Sequence, residues 1–182
     1  MTENIAGLKE KAKELRLLVL DMLCEAKSGH PGGSLSMAEI ITALYFHELK
    51  LDPKRPLWED RDRFVLSKGH GVPAVYAAMA MSGFFPKEEL QTLRKTGARL
   101  QGHPDRARLP GIEASTGSLG QGLSVAQGMA LGLRLAGKKD ARVFCVLGDG
   151  ESQEGQVWEA AMSIPKFKLG NLTAILDYNK GQ

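Results

Sequence analysis

Cysteine is scarce in this chain of 182 residues: Cys24 and Cys145 are the only two. They stand far apart, the first in a helical pattern and the second inside an apolar run. No disulfide framework is predicted, and both read as buried, reduced thiols. Long apolar runs are missing too, and none approaches the roughly 20 residues that a membrane span needs. The first residues carry Glu3, Lys9, Glu10 and Lys11 in place of the apolar core and cleavage site of an export signal. A cytoplasmic protein without membrane association is the expectation. An excess of one charge is lacking as well. The formal net charge is +3, and basic residues are interleaved with acidic ones, as in Lys9-Glu10-Lys11 and Arg61-Asp62-Arg63, so no nucleic-acid stripe is predicted. There are four histidines, and none makes the His-x-x-His or His-Glu-x-x-His pair of a zinc site. Internal repeats and low-complexity tracts are absent.

What remains, 43% hydrophobic and 25% charged residues, suffices for a core in about one domain. Leu8, Leu15, Leu18, Met22 and Ala26 recur at helical spacings and mark an opening helix that ends before Ser28-Gly29. The stretch from Ser28 to Ser34 reads as a loop by its glycines and proline. Ser36 with Glu39 three residues on predicts a capping box for a second helix running to about His47. A polar linker (Asp52 to Asp62) precedes a short strand, Arg63 to Ser67. The turn Lys68-Gly69-His70-Gly71 then leads into a helix beginning near Pro73. After a looser region, Ser82 to Gly111, the glycine-rich Gly117 to Gly122 opens a small-residue helix up to about Ala136. A strand at 141–147, a loop at 148–155, a helix to about Ser163 and a strand at 172–177 complete the pattern. Strands alternating with helices predict an α/β fold, a mostly parallel sheet covered by helices on both faces.

Parallel sheets bind ligands at the carboxyl ends of their strands, where loops turn into helices with exposed backbone N–H groups. Gly148-Asp149-Gly150 stands at such an end, and Asn179 follows the next strand. Glycines flanking Asp149 let the backbone turn sharply and approach a phosphate. Asp149 offers a hard oxygen and Asn179 a neutral one, a start on the six-oxygen shell of magnesium shared with a diphosphate. The tripeptide alone fits a plain turn equally well. A dinucleotide-binding fingerprint is excluded, because Gln153 stands where its third glycine belongs. Three histidines, His30, His70 and His103, each sit beside glycine in a predicted loop. Singly they read as surface residues; together they suit proton exchange with, and hydrogen bonding to, a polyhydroxylated carbonyl compound. His47, at a helix end, is assigned no role.

These segments carry a resemblance. Lys27 to Gly32, Asp62 to His70, Gly102-His103-Pro104, Ser115 to Gly122, and Gly148-Asp149-Gly150 through Asn179 occur in the order found in transketolases. The chain from about residue 10 to 182 resembles the amino-terminal, diphosphate-binding (PP) part of that family. The resemblance implies the thiamine diphosphate-binding fold, with residues 1–182 as the N-terminal portion of the PP domain and the sheet incomplete at its C-terminal end. It implies thiamine diphosphate held through Mg2+ (or Ca2+ or Mn2+), with Asp149, Asn179 and the backbone carbonyl of Gly181 as metal ligands and Gly150 on the diphosphate. It assigns His70, Gly117 and Leu119 to the cofactor's surroundings, and His30 and His103 to the sugar's oxygens, with His30, His70 and His103 as catalytic residues. Glu154 and Glu159 match acidic positions at a dimer interface. Two departures stand out: Ser118 replaces a frequent proline, and Gly181 a frequent aliphatic residue.

The activity so implied is transfer of a two-carbon ketol unit from a ketose phosphate to an aldose phosphate through a thiamine diphosphate carbanion, as in the pentose phosphate pathway. In the family a glutamate of a second, pyrimidine-binding domain activates the cofactor, and no segment here resembles that domain. The expectation is therefore a partner, a C-terminal transketolase subunit carrying the pyrimidine domain, in a two-fold assembly (dimer or heterotetramer), with no turnover by this chain alone. Other thiamine-dependent enzymes (1-deoxyxylulose-5-phosphate synthase, dihydroxyacetone synthase, 2-oxo acid dehydrogenases) and a non-catalytic assembly module are the alternatives.

Overall fold

The computed structural model describes residues 5–181. In chain order the elements are α1 (Ile5–Ala26), α2 (Pro31–Leu35), α3 (Ala38–Ala43) continued by a π turn (Leu44–Glu48), β1 (Arg63–Leu66), α4 (Val72–Met81), α5 (Gly122–Leu135), β2 (Val143–Gly148), α6 (Gly155–Lys166) and β3 (Leu172–Asp177), with short 3-10 turns at Gly69–Gly71, Lys87–Thr92 and Gly150–Gln153. The three strands are parallel, in the order β1-β2-β3.

Alternation along each strand feeds two cores. Phe64, Leu66, Phe144 and Val146 face the layer built by α1, α3 and α4. Val65, Val143, Cys145 and Leu147 face Leu123, Ala126 and Ala130 of α5 and Val157 and Ala160 of α6. This is the predicted arrangement, helices on both faces of a parallel sheet. Helix α4 is apolar all round (Val72 to Ala80 are buried) because it lies inside the first layer, packed against α1 and α3. Among the described residues no helix is long and apolar enough to cross a membrane.

Three local expectations are corrected. The stretch Ser28 to Ser34 is not all loop: Pro31 opens α2, where its fixed φ and missing N–H suit the first helical turn. The capping box does not form. Met37 is the N-cap of α3 and makes no side-chain cap bond, while the Ser36 hydroxyl donates to Asp177 Oδ2 at 2.6 Å. Cys24 is exposed, because it faces away from the stripe Leu15-Val19-Met22 that α1 buries, whereas Cys145 is buried in the sheet. Burial pushes the Cys145 thiol far above its ordinary range.

Candidate functional site

The register of β2 and β3 aligns Gly148 with Asp177. Asp149 and Asn179 therefore leave the sheet side by side at its carboxyl end. The two exits are bonded to each other: Asp149 N–H donates to the Asp177 carbonyl at 3.3 Å, and Lys180 N–H donates to Asp149 Oδ2 at 2.8 Å. Between them opens a cleft of about 380 Å³, lined by Lys68, His70, Leu119, Gly148 to Glu151, Gln153, Glu154, Asn179 and Gly181.

The oxygens in this cleft are hard donors. Asp149 Oδ1 accepts from Gly150 N–H at 3.0 Å, and Asn179 Oδ1 accepts from Gly181 N–H at 2.7 Å. Each of these oxygens has a second lone pair for a cation. The Asn179 amide is oriented by its other end, which donates to Ser36 Oγ at 3.3 Å and Asp177 Oδ2 at 3.4 Å. Glycine at 181 has a local reason: a Cβ there would lie 2.6 Å from Asn179 Oδ1. Among the described residues no three His, Cys, Asp or Glu side chains are grouped to hold a metal by themselves. A set of one carboxylate, one amide and a backbone carbonyl fits a magnesium-like ion that takes its remaining oxygens from a diphosphate.

Under the cleft lies a buried polar network. Lys68 is 1% exposed and forms an ion pair with Asp177. Its ammonium also donates to the Gly33 carbonyl at 2.8 Å. Burial alone would raise the Asp177 carboxyl, but hydrogen bonds from Lys68 and Ser36, with the lysine's charge and Asn179, outweigh it and hold the group below its ordinary range.

Three histidines gather at one mouth of this region. The His30 ring centroid is 5.4 Å from that of His70 and 6.4 Å from that of His103. His70 lies against Gly33, where a Cβ would come within 2.8 Å of its ring. Burial, then Lys68 and the other two histidines, lower the His70 pKa, and burial, Arg94 and His30 lower that of His103. Both are held toward the neutral imidazole, which has one donor and one acceptor nitrogen.

The structure thus brings His70, Leu119, Asp149, Gly150, Asn179 and Gly181 into one cleft, with His30 and His103 beside His70. Gly117 borders this region through His103, whose ring carbon lies 3.5 Å from where a Gly117 Cβ would stand. Glu154 also lines the cleft, while Glu159 is exposed on α6 outside it. His47 is exposed beside Glu48. Sequence reasoning missed Lys68 and Asp177 as a pair, and it missed Glu151. The signals were present but unspecific: an acid directly after Gly-Asp-Gly, and an Asp two residues before Asn179.

A parallel α/β domain, helices on both faces of its sheet and a polar cleft across two neighbouring strand ends, is the class that fold and site define. Residues 8–181 match the family described as transketolase, thiamine diphosphate binding domain, and the chain belongs to that family. It is 48% identical, over its whole length, to the SqwG component of a 6-deoxy-6-sulfo-D-fructose transketolase from Clostridium sp. (strain MSTE9), of which it covers 66%. It is 43% identical over 98% of its length to one of the subunits of the apulose-4-phosphate transketolase from Phocaeicola vulgatus, of which it covers 63%. The solved transketolase of Campylobacter jejuni superposes with a TM-score of 0.88 at 37% identity, covering 96% of this chain and 28% of that one. The chain thus spans about two thirds or less of these relatives.

Proposed function

We propose that this chain is the diphosphate-binding part of a transketolase and that residues 1–182 are the N-terminal portion of its PP domain. In this reading it moves a two-carbon ketol unit from a ketose phosphate to an aldose phosphate. The observation that carries this is the shared cleft: Asp149 and Asn179 at adjoining strand ends, with His30, His70 and His103 gathered at its edge. Family membership supports thiamine diphosphate as the ligand. Asp149, Asn179 and the Gly181 carbonyl would hold its divalent ion, Mg2+ by the donor chemistry, and Gly150 would meet the diphosphate. When bound, the cofactor supplies a nucleophilic carbon and an electron sink for cleavage of a C–C bond.

The chain's own residues do the rest. Neutral His70 and His103 can each donate to one oxygen and accept a proton from another, and His30 completes a triangle of such groups for the substrate's carbonyl and hydroxyl oxygens. Lys68, anchored by Asp177, brings positive charge to the floor of the cleft. Gly117 and Leu119 supply the wall that shields the cofactor's rings. Two relatives are named as subunits, which supports a second polypeptide. In this reading that polypeptide bears the pyrimidine domain, the assembly is two-fold with Glu154 and Glu159 at its interface, and the enzyme works in the cytoplasm on sugar phosphates of the pentose phosphate pathway.

The test combines this chain with a pyrimidine-domain polypeptide, thiamine diphosphate and Mg2+, and follows ketol transfer from xylulose 5-phosphate, with pyruvate and 6-deoxy-6-sulfofructose as rival donors. Transfer from xylulose 5-phosphate is expected, and none from the chain by itself. Use of pyruvate alone would make it a synthase of the deoxyxylulose type. Absence of Mg2+-dependent thiamine diphosphate binding in the complex would make it an assembly module. Turnover by the isolated chain would remove the need for a partner.

A further inference from the structure

Glu151 follows the Gly-Asp-Gly turn and is only 2% exposed. Its carboxylate meets no lysine, arginine or histidine within ion-pair distance among the described residues, although burying a charge in this way is costly unless it is fully hydrogen-bonded. Donors come instead from three separate segments. The Ser67 hydroxyl, just past β1, and the Gly120 N–H, at 2.9 Å, both donate to Oε1. The Gly148 N–H, at the end of β2, donates to Oε2 at 3.1 Å. Gly120 has φ +88°, a backbone state that turns the loop toward this oxygen and that side chains rarely adopt. At the other end of the same loop, α5 begins so close to β1 that a Cβ on Gly122 would lie 2.4 Å from Ser67 Oγ.

One carboxylate therefore ties the loop carrying Gly117 and Leu119 to the turn carrying Asp149 and Gly150, and both segments line the cleft, through Leu119 on one and Asp149 and Gly150 on the other. We propose that Glu151 is a positioning residue which fixes the spacing between the ring-shielding wall and the diphosphate wall. It sets thiamine diphosphate affinity without touching the sugar substrate. This inference rests on the proposed function.

Glu151→Gln tests it, because the amide has the same shape but must oppose at least one of the three donors with its own NH2 group. In the assembly of this chain with its pyrimidine-domain polypeptide, calorimetry with Mg2+ measures two ligands, thiamine diphosphate and inorganic pyrophosphate, the second reaching only the diphosphate wall. The expected result is thiamine diphosphate affinity weakened about 10- to 100-fold, with pyrophosphate affinity, the donor KM and kcat at saturating cofactor unchanged. Equal weakening of both ligands, or no weakening of either, overturns the proposal. If the Gln variant does not assemble, Ser67→Ala removes one donor and leaves both N–H bonds. It is expected to weaken thiamine diphosphate alone by roughly 2- to 10-fold, and an unchanged affinity counts against the proposal. Failure of the unmodified assembly to bind thiamine diphosphate overturns the functional reading instead, and this inference with it.

Discussion

Strands β2 and β3 are parallel neighbours of equal length, and each delivers one half of the site, yet they are held in opposite ways. All six residues of β2 are buried between the two helical layers. In β3 only Asp177 is buried, and Leu176 is 51% exposed although it is the register partner of Leu147, which is 4% exposed. Asp149 is thus positioned by apolar packing on both sides of its strand. Asn179 is positioned by the buried network of Lys68, Asp177 and Ser36. The same cleft draws its rigidity from two unlike sources, and each can be removed separately.

The polar half should break hardest. Asp177→Asn leaves the Lys68 ammonium buried without its counter-charge, which costs about 3–5 kcal/mol, and denaturant unfolding measures it. The same carboxyl gives an acid signature. Its folded pKa lies below the ordinary 3.8, so the stability it contributes is present above pH 3.8 and is lost as pH falls through the folded value. The variant should lack that acid limb. The apolar half is tested by the register pair. Leu147→Ala should cost about 2–5 kcal/mol, whereas Leu176→Ala should stay within about 0.5 kcal/mol. Equal losses would mean that β3 is packed like β2.

Ligand binding separates the halves again. Asp149→Ala removes the one carboxylate that the proposed function assigns to the metal. In the assembled complex it should weaken Mg2+-dependent thiamine diphosphate binding by more than about 100-fold, beyond the usual loss of an outer partner. Asn179→Ala, which removes a neutral oxygen, should weaken it less. The smallest effect concerns the histidines, which neither strand holds. Because the folded pKa values of His70 and His103 lie below the ordinary 6.5, the unfolded chain binds more protons just below pH 6.5. Stability should fall as pH drops from 6.5 toward the folded values. His70→Asn should flatten that slope, and an unchanged slope would show that burial and the charges around it do not hold His70 below its ordinary pKa.

Much of this was legible in residue order. Val143 to Leu147 could be read as a strand covered on both faces because it is continuously apolar, and the glycines around Asp149 marked the turn that follows. The π continuation of α3 and the short helix α2 left weaker traces, since five residues carry too little periodicity to be seen. Ser36 shows the limit most clearly. With Glu39 three positions on it has the spacing of a cap, but its hydroxyl reaches Asp177, 141 residues away, where a buried carboxylate offers a stronger acceptor than a helix end exposed to water. Glu151 left a similarly poor signal, because nothing in an acid after Gly-Asp-Gly reveals that its donors are Ser67 and Gly120.

The sequence by itself determined that this protein is a parallel α/β domain of the transketolase type, and it marked Asp149, Asn179 and three histidines as its candidate site residues. Periodicity, glycine placement and motif order are local, and local signals survive in one dimension. Tertiary structure alone decided which groups hold those residues still. The pairs Lys68 with Asp177, 109 residues apart, and Ser67 with Glu151, 84 apart, exist only because the carboxyl ends of the three strands lie side by side and exclude water around them, and that burial turns ordinary polar residues into fixed supports for the cleft.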